Sequence, residues 1–261
     1  VVSETSNLKL TPHHHFPPIT NYPLPITHYH YLLPITNYQL PMINIADLLK
    51  QPRLPGNYFA SDAYVRGDLE LGLLENRRGN RLIALPETLI KAIYSGLEQE
   101  TGQASRLVLF NCGRWWGKNF YVRFCEEVSE YYGQPVSEME MVEFLQSLQQ
   151  CWKTHGWGTF ELDTSYSEQG FLIVKIANSL FAKTAPKSKR PACFLEAGIL
   201  SSFFTQLTGR ELHCLQTSCE SLGSDCNRFI LGLRDRLQPA DSMVEKGQDH
   251  EAIISQLCQK N

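Results

Sequence analysis

The 261-residue chain carries no strong charge of either sign: 24 Lys and Arg against 27 Asp and Glu leave a formal net charge of −3. Binding to nucleic acid needs a basic face that displaces counterions, so no nucleic-acid partner is expected. Long apolar runs are also missing. Phe171 to Val174 stops at Lys175 and Phe194-Leu195 stops at Glu196, far short of the roughly 20 residues that span a bilayer. The N-terminus lacks the charged-then-apolar layout of a secretory leader. No membrane span and a cytoplasmic location are the expectations. No Gly-x-Gly-x-x-Gly follows an apolar run and no two Cys stand at Cys-x-x-Cys spacing. The sequence therefore has no nucleotide-cofactor fingerprint, no redox Cys motif and none of the strong zinc signatures.

What is present suits a globular domain. Hydrophobic residues make up 43% and the 17 Gly bring the apolar share to about half. The first 41 residues stand apart. They hold seven of the 14 Pro and five of the eight His, with only Glu4 and Lys9 charged. They also repeat: Pro18-Ile-Thr-Asn-Tyr22, Pro25-Ile-Thr-His-Tyr29 and Pro34-Ile-Thr-Asn-Tyr38. Pro at this density removes backbone donors and disfavours helix and central strand, which predicts a disordered extension over 1–41. The segment resembles translated intergenic repeats of filamentous cyanobacteria, which points to a start codon at Met42. An arm follows over 42–68, then a main domain over 69–237 and a C-terminal helix over 238–261.

Within the main body, Leu69–Leu74 and Arg81–Leu85 flank the turn cluster Asn76–Asn80 and read as a β-hairpin. Pro86 opens a helix that ends near Gly102, and a longer helix over 106–132 stops at Gly133. Ser137 with Glu140 predicts a capping box for a helix to Lys153. Strands follow over 158–166 and 171–177, then a helix over 191–207 ending at Gly209, strands over 211–217 and 227–233, and a helix over 241–259. Hairpin-joined strands flanked by helices predict an α+β fold: an antiparallel sheet of about four strands with helices packed on it, plus the N-terminal hairpin.

Four of the eight Cys fall within 34 residues: Cys193, Cys214, Cys219 and Cys226. A Gly-containing turn between Cys219 and Cys226 can bring both thiols to one point, and the preceding helix can return Cys193 to it. Three or four thiolates would satisfy tetrahedral zinc. Inert core thiols are the alternative, because free Cys is among the most buried residue types.

The stretches Ala192-Cys-Phe-Leu-Glu-Ala-Gly198, Leu207-Thr-Gly209, Thr217-Ser-Cys219, Gly223 and Cys226-Asn-Arg-Phe229 resemble the 4-vinyl reductase domain family. Weaker likeness extends back through Ile176-Ala-Asn-Ser179 and Gly113-Arg-Trp-Trp-Gly117 to the hairpin. The family includes phenol-sensing activator domains, and its fold is similar to that of vesicle-tethering subunits. The resemblance implies zinc held by Cys, Glu, Cys and Cys, with Cys193, Cys219 and Cys226 on the Cys positions. Gln216 stands where the Glu belongs, and a neutral amide is a poor substitute. Cys214, two residues away on the same strand face, is the candidate fourth ligand.

Other residues carry two readings each. Gly113 and Gly117, four apart on a helix, allow close approach of a neighbouring backbone. Trp115 and Trp116 beside them either wall a pocket for a flat ligand, with Arg114 pairing a carboxylate, or pack in the core with Arg114 solvated. His155 is a ligand donor or a helix C-terminal cap. His213 is a sheet residue or a spare metal ligand. Glu196 is a desolvated acid, or it faces a wet edge or pairs with a cation. Lys187 to Arg190 belong to a basic loop.

The resemblance implies a non-catalytic binding or carrier domain for a hydrophobic small molecule. With the cyanobacterial likeness, the expected ligand is a tetrapyrrole such as a chlorophyll precursor, in photosystem assembly or chlorophyll metabolism, peripheral to the thylakoid. Two alternatives come from the same resemblance. One is a homodimeric scaffold. The other is a vinyl reductase drawing on an external electron donor.

Overall fold

The structure, a computed structural model, describes residues 54–185 and 188–259. The expectations for 1–41, for 42–53 and for Lys187 lie outside those residues.

Two antiparallel sheets are present. The small one has three strands in the order β1 (Val65–Asp68), β2 (Leu73–Asn76) and β3 (Arg81–Leu82), preceded by a single helical turn, α1 (Ser61–Tyr64). The expected hairpin is β2–β3, shifted because Asn76 folds the turn back on itself. Its Oδ1 accepts from the Arg78 and Asn80 amides, so pairing starts at Asn76 rather than at Leu74. Strand β1, which the sequence reading placed in the arm, adds to the outer side of β2.

Helix α2 (Glu87–Thr101) leads to α3 (Ala104–Tyr132), whose 29 residues end at Gly133. Helix α4 spans Met141–Thr154 and does begin with a capping box, three residues later than expected. Glu140 and Glu143 make it, while Ser137 sits in a short 3-10 turn after Pro135.

The main sheet runs β4 (Thr159–Asp163), β5 (Leu172–Ala177), β7 (Asn227–Gly232) and β6 (His213–Ser218), so β4 and β6 are the edges. A five-residue helix, α5 (Leu180–Thr184), absent from the sequence reading, follows β5 and is capped by Ser179 Oγ. Helix α6 (Phe194–Thr208) precedes β6. The expected single terminal helix is two, α7 (Arg234–Glu245) and α8 (His250–Gln259), because Gly247 takes φ 73° and breaks the ladder.

Alternation along the strands builds two cores, one on each face. Val174, Ile176, Phe229 and Leu231 face α3, α4 and α6. Ile173, Ile230 and Phe171 face α7 and α8. Helix α6 is apolar all round, as a buried helix must be, and α3 lies directly against it. A Cβ on Gly113 would overlap the carbonyl oxygen of Leu195, and one on Gly198 would overlap that of Phe110. On Gly117 it would come within 2.6 Å of the Ile199 carbonyl oxygen. The Gly-x-x-x-Gly spacing is thus a packing device. It sets α6, and with it Cys193, over the sheet.

Among the described residues no helix is long and apolar enough to cross a membrane.

Candidate functional site

The motif stretches meet at one corner, where the end of edge strand β6 passes the start of α6. Glu220 ties three segments together. Its carboxylate accepts from the amides of Asn178 and Ser179, at 2.7 and 3.0 Å, and from Asn227 Nδ2 at 2.7 Å. Asn178 is held there with φ 57°, which Asn tolerates better than most residues. Asn227 also donates to the Ile176 carbonyl, and its Oδ1 accepts from the Glu220 amide. Ser179 Oγ donates to Glu196, whose side chain is fully buried. Glu196 therefore neither faces a wet edge nor pairs with a cation, the reading weighed against a desolvated acid. Burial pushes its carboxyl well above the usual range, and the Ser179 bond opposes this only in part. Ser179, Glu220 and Asn227 were not singled out in the sequence. The one readable signal was Ser179 as an N-cap ahead of a short helix.

Cys193 and Cys219 converge here, with sulfurs 3.8 Å apart and both side chains buried. The Cys193 thiol donating to it holds Cys219 down to about 6, and Ser221 Oγ, 3.0 Å away, adds to the effect. Gln216 Oε1 accepts from the Cys193 amide at 2.9 Å, while its Nε2 donates to the Ser218 carbonyl and to Asn227 Oδ1. The amide thus spends both ends closing the corner. Cys214 lies further up β6, paired across from Leu231, and Cys226 flanks the start of β7 with its carbonyl accepting from Ser218. Among the described residues no group of three or more His, Cys, Asp or Glu is arranged to hold a metal ion. Zinc needs about four donors. Two thiols and an amide engaged at both ends do not supply them, so this donor set does not fit the zinc site that the motif resemblance implies.

Two clefts open on either side of the corner. One, of about 380 Å³, straddles the edge strand between the helix layers. Leu107 and Phe110 of α3, Phe194 and Ala197 of α6, and Cys214 and Leu215 of β6 make its apolar wall. Arg106, over the Phe194 ring at 5.6 Å, and Arg190, paired with Glu245 at 2.9 Å, bring cations to it. His213 lines it too, its ring 5.2 Å from Phe110, and burial pushes its pKa down, which favours neutral imidazole. The second cleft, of about 450 Å³, is polar and is lined by Cys219, Lys189, Arg228 and His250 among others.

The residues expected to bind a ligand disperse. Trp115 is 74% exposed, and Arg114 is half-exposed with Glu211 3.6 Å away. Trp116 and His155 do meet, on two sides of Trp157, at 5.0 and 4.5 Å between ring centroids. His155 also caps α4, as the second reading of it has it. Its Nδ1 lies 2.8 Å from the Cys151 carbonyl, which can only accept, so Nδ1 carries the proton; burial lowers the pKa and leaves Nε2 bare. Trp152 next to this group is buried with its indole N–H unpartnered. These rings fill the space among themselves. The cleft residues Arg106, Leu107 and Phe110 went unnoticed because, in sequence, they are ordinary helix-face residues.

An antiparallel sheet between helix layers, with its motif residues gathered at one edge, defines the class: an α+β module of the ligand-binding type. Residues 172–233 match the model of the 4-vinyl reductase domain family. The chain carries a domain of that family, as its motifs predict. No curated protein matches the chain. Among solved structures, it is similar to the phenol-responsive sensory domain of the transcription activator PoxR, determined with phenol. That likeness has a TM-score of 0.52 and 14% identity, covering 73% of this chain and 96% of that one. Lower similarity links it to trafficking protein particle complex subunit 3 of Naegleria fowleri, covalently bound to palmitic acid, with TM-score 0.44, 13% identity and coverage of 57% and 95%. A vinyl-4-reductase family protein of Methanocaldococcus jannaschii gives TM-score 0.38, 17% identity and coverage of 57% and 82%.

Proposed function

We propose that the chain is a non-catalytic binding module for a small, largely apolar molecule, taken up in the cleft at edge strand β6. The observation that carries this reading is the cleft's make-up: an apolar wall of side chains from three elements, with cationic Arg106 and Arg190 beside it. Burial of apolar surface supplies affinity in such a site, and a few polar groups set orientation. The Arg pair favours a molecule with one anionic or hydrogen-bond-accepting end. The phenol-bound PoxR domain, which shares the fold, supports a ligand of this general kind. At about 380 Å³ the cleft stands near the small end of ligand sites, which run from about 300 to 1,000 Å³. A single ring or a short acyl chain suits it better than the tetrapyrrole that the motif resemblance implies.

Thermal unfolding of the full chain with phenol, decanoate and protochlorophyllide in separate titrations tests the reading. A true ligand at about 100 times its Kd stabilises by about 2.7 kcal/mol. Ala197→Phe, which fills the cleft, should abolish that shift while leaving the far-UV circular dichroism unchanged. A protochlorophyllide shift that persists in Ala197→Phe would place the pigment elsewhere and overturn the cleft assignment.

A second reading, assembly through a homodimer, is favoured by one feature. Leu69 is 93% exposed and Ile83 77% exposed on the small sheet, and Leu89 and Ile93 are exposed on α2. Several exposed large apolar side chains in one region are characteristic of interaction surfaces.

A further inference from the structure

We infer that Cys193 and Cys219 form a peroxide-oxidisable dithiol, a modification site separate from the ligand cleft and independent of the binding proposal. The two sulfurs lie 3.8 Å apart, joined in a hydrogen bond rather than a disulfide. A rotation of either side chain, not a backbone rearrangement, closes the remaining distance. Cys193 caps the start of α6 and Cys219 follows β6, so a bond between them would staple helix to sheet across 26 residues of sequence. Gln216 holds the Cys193 backbone in place through its side-chain oxygen, which keeps the pair in register whether or not the bond is formed.

The thiols differ in access. Cys219 lines the polar cleft, whereas Cys193 lines the apolar one. A small hydroperoxide entering the polar cleft therefore meets Cys219 first. Lys189 and Arg228 line the same cleft, and Arg228 is already paired in a fork with Asp225 at 2.7 and 2.9 Å. That leaves Lys189 as the cation available to a departing oxygen. The chemistry balances in two steps. In the first, the Cys219 sulfur attacks the outer oxygen of ROOH, the O–O bond breaks, and the thiol proton leaves with the alcohol ROH, giving a sulfenic acid on Cys219. In the second, the Cys193 sulfur attacks the Cys219 sulfur, the S–O bond breaks and water departs with the Cys193 proton. Two thiols lose two electrons, and one peroxide gains them. The other thiols are placed differently. Cys151 and Cys214 are buried away from any sulfur partner, and Cys112 is exposed with none in reach among the described residues.

Peptide mapping of the full chain tests the inference. The protein is treated with hydrogen peroxide at low molar excess, blocked with N-ethylmaleimide and digested without reductant. The dominant product should be a Cys193–Cys219 linked peptide two mass units lighter than the sum of its reduced parts, lost again on treatment with dithiothreitol. Cys193→Ser should abolish the link and leave a sulfenic acid on Cys219 that dimedone traps. Cys219→Ser should abolish both. Because the wild-type map stands by itself, a variant that fails to fold does not rescue the idea. A dominant link to Cys226, Cys214 or Cys112 overturns it. So does a pair that stays reduced, and so does stoichiometric zinc that must be chelated before any oxidation occurs.

Discussion

Helix α3 meets two regions of the molecule by opposite means. Along its Gly113–Gly117 face it touches α6 backbone to backbone, and the sheet, both cores and the thiol corner depend on that contact. On its other side lie the three-stranded sheet and α2, held by few buried groups. Asn76 of β2 donates to buried Glu127 of α3, and Tyr94 is the only buried residue of α2. The first region tolerates no added atom. The second exposes large apolar side chains and hangs on polar anchors. Close-packed interiors transmit strain, whereas thinly attached segments open locally. The clefts sit in the first region, where positions are fixed to fractions of an ångström.

The sharpest way to break this contrast is Gly198→Val. Its Cβ would overlap the Phe110 carbonyl, and overpacking of this kind costs about 3 kcal/mol or prevents folding. Chemical denaturation should show a large drop in the midpoint; a loss under about 1 kcal/mol, the low end for overpacking, would mean that the two helices can move apart. In the second region, Asn76→Ala removes the Glu127 bond and uncaps the turn amides. A loss of about 1–3 kcal/mol is expected, with hydrogen exchange accelerating over 65–82 and not over the main sheet.

Glu196→Gln gives a smaller difference that depends on pH. Burial raises the Glu196 pKa above its unfolded value, so the folded protein keeps a proton that the unfolded chain releases. The stability from this group is full below the ordinary carboxylate range and falls as pH rises. Between about pH 5 and 8 the variant should therefore lose less melting temperature than the wild type. An identical pH slope in both would mean that Glu196 titrates normally. Least of all is expected from Ile83→Ser, whose side chain is 77% exposed: a change within about 0.5 kcal/mol for the monomer. A loss of dimer in sedimentation, at unchanged monomer stability, would identify the apolar surface as an assembly face.

Much of the architecture was legible because it rests on local chemistry. Gly102, Gly133 and Gly209 stop helices where expected, and the hairpin-joined strands pair as predicted. The errors fall where two local signals competed. Ser137 and Glu140 both suit an N-cap, and Pro135 decides against the first by starting a 3-10 turn. Gly247 splits the last helix although the apolar spacing runs on through it. At the candidate site, sequence motifs identified the corner and the approach of Cys193 to Cys219, but not who else comes. Ligand sets depend on strand register and loop course over tens of residues. Cys214 and Cys226 are near in sequence yet the described geometry groups neither with the pair. The network of Glu220, Asn227 and Ser179 was illegible for the same reason, since each is an ordinary polar residue until the fold collects them. The ligand reading moved from Trp115 to Leu107 and Phe110 because which side of a helix faces the sheet edge is settled by the glycine seam, not by the aromatic residues beside it.

The measurement that bears most directly on the account is a map of amide and indole chemical shifts in the full chain as phenol and decanoate are added. Binding in the edge-strand cleft predicts shifts at Leu107, Ala197, Cys214 and Leu215, with the Trp152 indole N–H unmoved. Shifts confined to Trp152, Trp157 and His155, or saturation by neither compound, would contradict it.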